Sequence, residues 1–260
     1  MRLAALAMLA VMLCAGGAAA GTTAPLTPLQ LYQAGKYTEA IQQGTASNEA
    51  TGYAVAARAE LAVAQMRDQP CLECLKTAEG YARKAIALDP TLADGHVYFA
   101  AALGYEARII GMMAAKFKGY AGEAKDSLDV AFAHHPDDPW VLAALGGWNI
   151  AVVNGGGATM ANWMYGATVK KGLDYYAKAF AADPTGIVIR FQYALSLSAY
   201  DRETYGKEIE AALRIAATGK PRTVYEQFMQ VRAKTLFATF NSGDWKAYDA
   251  LVKRYQGYPQ

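Results

Sequence analysis

The sequence predicts an all-α fold, an array of antiparallel helix pairs wound as an α-α superhelix. Three observations carry that prediction. Apolar residues recur at helical spacing, as in Tyr81, Ala82, Ala85 and Ile86, and again in Ala177, Phe180 and Ala181. Three segments echo one another: YARKAIALDPTLADGHVYFAAALG from Tyr81, SLDVAFAHHPDDPWVLAALGGW from Ser127 and YYAKAFAADPTGIVIRFQYALSLS from Tyr175. Their prolines, Pro90, Pro136 and Pro184, are 46 and 48 residues apart. No run alternates with period two and β-branched enrichment, so no sheet is expected.

The chain opens outside the array. Residues 1–20, MRLAALAMLAVMLCAGGAAA, place Arg2 before an apolar core and end in Ala18-Ala19-Ala20, the pattern of a cleaved secretory signal peptide. An uncleaved anchor is the competing reading, but the Gly/Ala half is weakly apolar for a span of about 20 residues. Cys14 follows Leu13, which departs from a lipidation box, so Cys14 is expected to leave with the signal. Residues 21–260 are then one exported helical domain, periplasmic or secreted. Without Arg2, the 25 Lys+Arg become 24 against 23 Asp+Glu, a charge near neutrality with no footprint for nucleic acid and no basic stripe for a membrane. No later segment is apolar enough to span a bilayer, so no stable membrane insertion is expected once the signal is removed.

Expected helices cover 27–44, 49–67, 72–88, 91–115, 120–134, 138–153, 168–182, 185–199, 202–217, 221–241 and 244–255. The residue before Pro is pushed out of helical backbone, so Leu88-Asp89-Pro90 stops one helix. Pro is then tolerated in the first turn of the next, where its missing N–H costs nothing. Each resulting hairpin must stack on its neighbours to bury its apolar stripe. LYQAGKYTEAIQQG and FNSGDWKAYDALVKRY supply further hairpin halves, with Gly35 and Gly243 for the turns and Tyr37 and Trp245 as aromatic plugs.

The sets AGKYTEA, ARKAIALDP, AKAFAADP and SGDWKAYDAL resemble tetratricopeptide repeats, although the interval exceeds the usual 34 residues. Within 75–215, LDPTLADGHVYFAAALGYEARIIG, HPDDPWVLAALGGWNIAVVN and YGATVKKGLDYYAKAFAADP resemble the helical region of the regulator of microtubule dynamics family. They are also similar to periplasmic repeat proteins associated with TRAP transporters. The resemblance implies a helical-repeat fold and says little about function. An exported chain would not meet microtubules, so that activity is not expected here.

The most chemical stretch is QPCLECLK, with Cys71 and Cys74 two residues apart. A thioredoxin-like centre needs a strand before the motif, and none is expected. A structural zinc needs a second ligand pair, and His96, His134 and His135 do not provide the spacing. A c-type haem needs His where Leu75 stands. A local disulfide at a helix start fits an exported chain best, closing a short loop worth about 2 kcal/mol. His96 is expected to be a satisfied core or rim residue, His134 and His135 to cap a helix end, and Asp137-Asp138 to be helix caps rather than a metal patch. Arg108 and Arg190, inside apolar helices, require partners, for which Glu106 or Asp126 are candidates.

No Gly-x-Ser-x-Gly, phosphate loop, dinucleotide fingerprint or His-Glu-x-x-His appears, so no enzyme activity and no cofactor are expected. The best candidates for a ligand or partner surface are two inserts that break the repeat. GMMAAKFKGY (111–120) carries Met112, Met113 and Phe117, and NGGGATMANWMYGATVKKG (154–172) carries Met160, Trp163, Met164 and Tyr165. They either fold back over the core or line an apolar pocket or partner face. The expected role is an exported scaffold or adaptor that holds a protein partner in the concave groove of the array. The alternative is a carrier of a small apolar ligand, accessory to a transporter, with the inserts roofing a closed cavity.

Overall fold

A computed structural model describes residues 25–259, and the expected signal segment at 1–20, with Cys14, lies outside them. Among the described residues there are fourteen helices and no strand. A short α1 (Pro28–Gln33) leads into five helix pairs: α2 (Tyr37–Ala46) with α3 (Ala50–Met66), α4 (Leu72–Leu88) with α5 (Ala93–Ile110), and α7 (Tyr120–His134) with α8 (Pro139–Gly156). The series continues with α10 (Val169–Ala182) and α11 (Ile187–Asp201), then α12 (Gly206–Thr218) and α13 (Val224–Ser242). α14 (Trp245–Tyr255) closes the chain, while α6 (Met112–Phe117) and α9 (Ala158–Tyr165) are the two inserts.

Local chemistry sets most boundaries. Thr27 and Gln30 form a reciprocal capping box at α1, with Pro28 in the first turn. Asp138 Oδ1 accepts from the backbone N–H of Trp140 and Val141 at 2.8 and 3.0 Å, so this aspartate is a cap, as expected. Thr168 and Thr223 cap α10 and α13 in the same way. Five expected boundaries shift by three residues or more, among them the helix expected from 221, which begins at Val224, and α9 forms where no helix was expected. The helix expected over 27–44 is broken because Gly35 adopts φ +78, which turns the chain between α1 and α2. The one expected over 91–115 ends at Ile110 because Gly111 takes φ +87. The helix expected from 202 begins at Gly206, after a turn in which Asp201 accepts from Thr204 N–H at 3.0 Å. The helix expected to end at 153 continues to Gly156.

The second helix of each pair faces inward. α3, α5, α8, α11 and α13 touch one another in that order, and each also packs on the first helix of the following element. Small residues permit close approach: Ala78, Ala82 and Ala85 of α4 are fully buried, and so are Ala57 and Ala59 of α3. At the α8–α10 crossing Gly146 lies under the buried ring of Tyr176, and Gly172 lies against Ile150.

The winding is tight enough that the last elements return to the first. Tyr32 of α1 meets Tyr225 of α13 with ring centroids 6.4 Å apart. Gln65 Oε1 of α3 accepts from Tyr105 Oη of α5 and from Tyr225 Oη, each at 2.9 Å. Gln192 of α11 donates to Tyr105 Oη at 3.3 Å, Arg108 donates to the Gln256 carbonyl at 2.8 Å, and Arg254 pairs with Asp68 at 2.8 Å. The concave face expected to receive a partner is therefore bridged by the chain's own side chains. At this seam a cavity of about 30 Å³, lined by Gln65, Tyr105, Arg232, Arg254 and Tyr255 among others, has room for about two waters.

Candidate functional site

Cys71 and Cys74 are joined by a disulfide at the start of α4, with Cα atoms 5.3 Å apart. Cys71 is also the N-cap, its sulfur accepting from the Cys74 N–H at 3.2 Å. The bridge pins the loop between α3 and α4, the position expected of a structural clip. His96 is buried and fully engaged, with Nδ1 at 2.8 Å from Ser127 Oγ and Nε2 at 2.9 Å from the Pro90 carbonyl. His135 reaches not the carbonyls of its own helix but Thr91 O at 3.1 Å, stitching two successive inter-helix turns.

Arg108 and Arg190, both half-buried, are partnered differently from the expectation. Arg108 takes the Gln256 carbonyl and lies over the Tyr105 ring at 4.8 Å, with neither Glu106 nor Asp126 in contact. Arg190 lies 3.7 Å from the Phe180 ring centroid and donates from Nη2 to the Pro184 carbonyl at 3.5 Å. Aromatic faces replace carboxylates because a weakly hydrated guanidinium stacks on them without a second buried charge. Glu106 is buried, and one carboxylate oxygen accepts from Tyr120 Oη at 2.8 Å while the other has no partner. Burial pushes this carboxyl above the usual carboxylate range, against the opposing effect of the Tyr120 hydrogen bond.

The two inserts are one device built twice. Gly111 and Gly157, 46 residues apart like the first two repeat prolines, share an almost identical backbone, φ 87 and ψ 153 against φ 77 and ψ 151. Each ends an inner helix and starts a short one in a new direction, a conformation that a Cβ would strain. Gly119 and Gly166, both left-handed at φ 75 and φ 63, turn the chain back into the array. The inserted turns account for a repeat longer than 34 residues.

Each insert is anchored by a few residues and exposes the rest. Ala115 and Ala161 are buried. Tyr165 is half-buried, its ring edge-on to Trp148 at 6.0 Å, and Trp148 Nε1 donates to the Ala121 carbonyl at 3.0 Å. Met112 lies over Gly155, where a Cβ would collide with its terminal methyl, so the start of α6 rests on the end of α8 beside α9. The remaining large side chains point outward: Phe117 is 86% exposed, Trp163 80% and Met113 66%, with Met112, Met160 and Met164 about half exposed. Six of the seven candidate residues are thus largely exposed on α6 and α9, with Met112 packed on Gly155 through its terminal methyl, and Tyr165 is an anchor. The hollow beside α9 is open and lined only by Gly156, Gly157, Ala158, Thr159, Met160 and Trp163. No core residue floors it, so the inserts do not roof a closed cavity there.

The inserts also carry charge that their apolar composition overshadows in the sequence. Lys116 and Lys118 flank Phe117, and Lys170 and Lys171 open α10 just after α9. No acidic residue occurs from Ala107 to Gly122 or from Pro139 to Leu173, a signal that was available in the bare sequence. Lys170 pairs with Asp174 at 2.7 Å and Lys171 donates to the Gly166 carbonyl at 2.7 Å. Lys118 lies 5.7 Å from the Tyr120 ring, and neither it nor Lys116 has a carboxylate partner among the described residues. Among the described residues no helix is long and apolar enough to cross a membrane.

A search of curated proteins finds no match. The family model described as Regulator of microtubule dynamics protein 1-3 matches residues 31–241, a span from α1 into α13 that contains both inserts and is wider than the 75–215 resemblance. With well over half of its length matched, and an all-helical array carrying the long-period inserts, the chain belongs to the regulator of microtubule dynamics protein 1-3 family.

Proposed function

We propose that the protein is an exported, non-enzymatic adaptor that brings a protein partner to a surface on which the insert edge docks. One observation carries this: the concave groove is bridged by Gln65, Tyr105 and Tyr225, whereas six large apolar side chains are displayed on α6 and α9. Large apolar side chains grouped on short exposed segments mark surfaces that are covered in use. The working face therefore moves from the groove to the edge. The Cys71–Cys74 disulfide supports an oxidising compartment, consistent with periplasmic or secreted residence. In such a compartment the microtubule activity in the family's description has no substrate, and it is not carried over. The small-ligand carrier has less support, because the hollow at 156–163 is open and belongs to the insert alone.

Photo-crosslinking in intact exporting cells tests the proposal. A benzophenone side chain at position 117 or 163 is expected to yield adducts, and one at the exposed Val130 of α7 is not. Equal labelling at all three positions, or none at the edge, would refute the edge as docking face. A small molecule retained in native mass spectrometry of the purified chain would favour the carrier.

A further inference from the structure

Resting on the assignment of the insert edge as the docking face, we propose that its occupant is an anionic phospholipid surface, met peripherally and without spanning. The edge combines the two ingredients of interfacial binding: aromatic and Met side chains free to enter the acyl boundary, and lysines free to meet headgroups. Phe117 and Trp163 are the two most exposed large apolar residues described, and Lys116 and Lys118 stand on either side of Phe117. Neither 107–122 nor 139–173 contains an acidic residue, and Lys116 and Lys118 have no carboxylate ion-pair partner among the described residues, so these two lysines are available to an anionic leaflet, with Glu106 engaged by Tyr120 at the base of the insert. A second copy of the chain would bring like charges together. A protein anchor would need a floored pocket, whereas the hollow beside α9 is open and lined by six insert residues alone. Helices of 6 and 8 residues, set between successive helix pairs and exposing their large side chains, suit a flat, deformable surface better than a groove-filling partner.

The geometry also sets the depth of contact. Ala115, Ala161 and Tyr165 tie the inserts to the array, so only the outward side chains can enter the interface. With no membrane-crossing helix among the described residues, the contact is reversible and salt-sensitive. Each lysine near an anionic surface is worth about five-fold in partition coefficient, the equivalent of about 1 kcal/mol.

The test is vesicle flotation of the purified full chain after export. One set of vesicles is neutral phosphatidylcholine, and the other replaces a quarter of it with phosphatidylglycerol. Binding is expected to favour the anionic vesicles at least ten-fold at about 0.1 M salt and to fall steeply at about 0.5 M, where the screening length shrinks to a few ångströms. Phe117→Ser with Trp163→Ser should lower binding at least ten-fold with unchanged melting, since both side chains are exposed. Lys116→Gln with Lys118→Gln should cost about 25-fold on anionic vesicles and little on neutral ones. Brominated lipids should quench tryptophan in the wild type and not in Trp163→Ser. Absence of binding to either vesicle, or binding indifferent to both double variants, overturns the proposal. If vesicles are ignored while the edge still crosslinks to a protein, the lipid assignment falls and the adaptor stands. If the edge engages neither, both fall.

Discussion

Gly146→Ala probes the closest helix crossing that supports the edge. α8 carries α9 at its end, and α8 is held to α10 where Gly146 passes beneath Tyr176. A Cβ on Gly146 would lie 2.7 Å from Tyr176 Cδ2 and 3.0 Å from Cγ and Cε2. Those contacts are about 1 Å inside the optimal carbon–carbon separation of about 3.5–4.0 Å. The ring cannot yield, because Tyr176 is 2% exposed and packs against Phe180 and Tyr193 with centroids 5.9 and 4.8 Å away. Overpacking of this kind costs about 1–3 kcal/mol, and removing a mid-helix glycine returns about 0.5–1 kcal/mol. The net loss is about 1–2 kcal/mol. Gly80→Ala in α4 is the matched control: nothing lies within 4 Å of its would-be Cβ, so only the helix gain remains. Urea unfolding followed by far-ultraviolet circular dichroism should move the two midpoints in opposite directions at constant slope. For a chain of this size the melting temperature of Gly146→Ala should fall by about 2–8 °C. A Gly146→Ala protein as stable as Gly80→Ala would refute the close crossing.

Replacing both cysteines, Cys71→Ser with Cys74→Ser, should cost about 2 kcal/mol in chemical denaturation and leave docking intact, because the bridge closes only a four-residue loop. Loss of docking in a still-folded double variant would instead give the cysteines a chemical role. Gln65→Leu strands the Tyr225 hydroxyl and removes the acceptor of the Tyr105 hydroxyl, so it should destabilise by about 1–3 kcal/mol, and adding Tyr225→Phe should recover part of that. Glu106 has a raised carboxyl value from burial, so the folded chain holds its proton more tightly than the unfolded one. Its burial penalty is therefore present at neutral pH and relieved as pH falls through the raised value toward the ordinary 4.5. Glu106→Gln keeps an acceptor for Tyr120, should gain stability at neutral pH, and should flatten the part of the stability–pH profile above 4.5 that this carboxyl contributes.

Class, the order of the paired helices and the disulfide were legible in the sequence because their causes are local. Periodicity places a helix, Leu88-Asp89-Pro90 stops one, Asp138 caps one, and two cysteines at i and i+3 can reach each other without help from the rest of the chain. The edge was half legible. Composition singled out Met112, Phe117 and Trp163, and the acid-free flanks could have been read beside them, but whether those side chains would fold inward depended on Gly111 and Gly157 adopting positive φ. Only the tertiary structure decided that the groove is closed. Gln65, Tyr105 and Tyr225 meet, Arg108 reaches Gln256, and Arg254 pairs with Asp68 across 186 residues of sequence, all brought together by small increments of helix packing that no local pattern records. It also decided that Arg108 and Arg190 rest on aromatic rings rather than on carboxylates, since a stacking partner is chosen by what the crossing helices happen to present. Local chemistry thus determined the elements, and the accumulated twist of five helix pairs determined which surface was left to work.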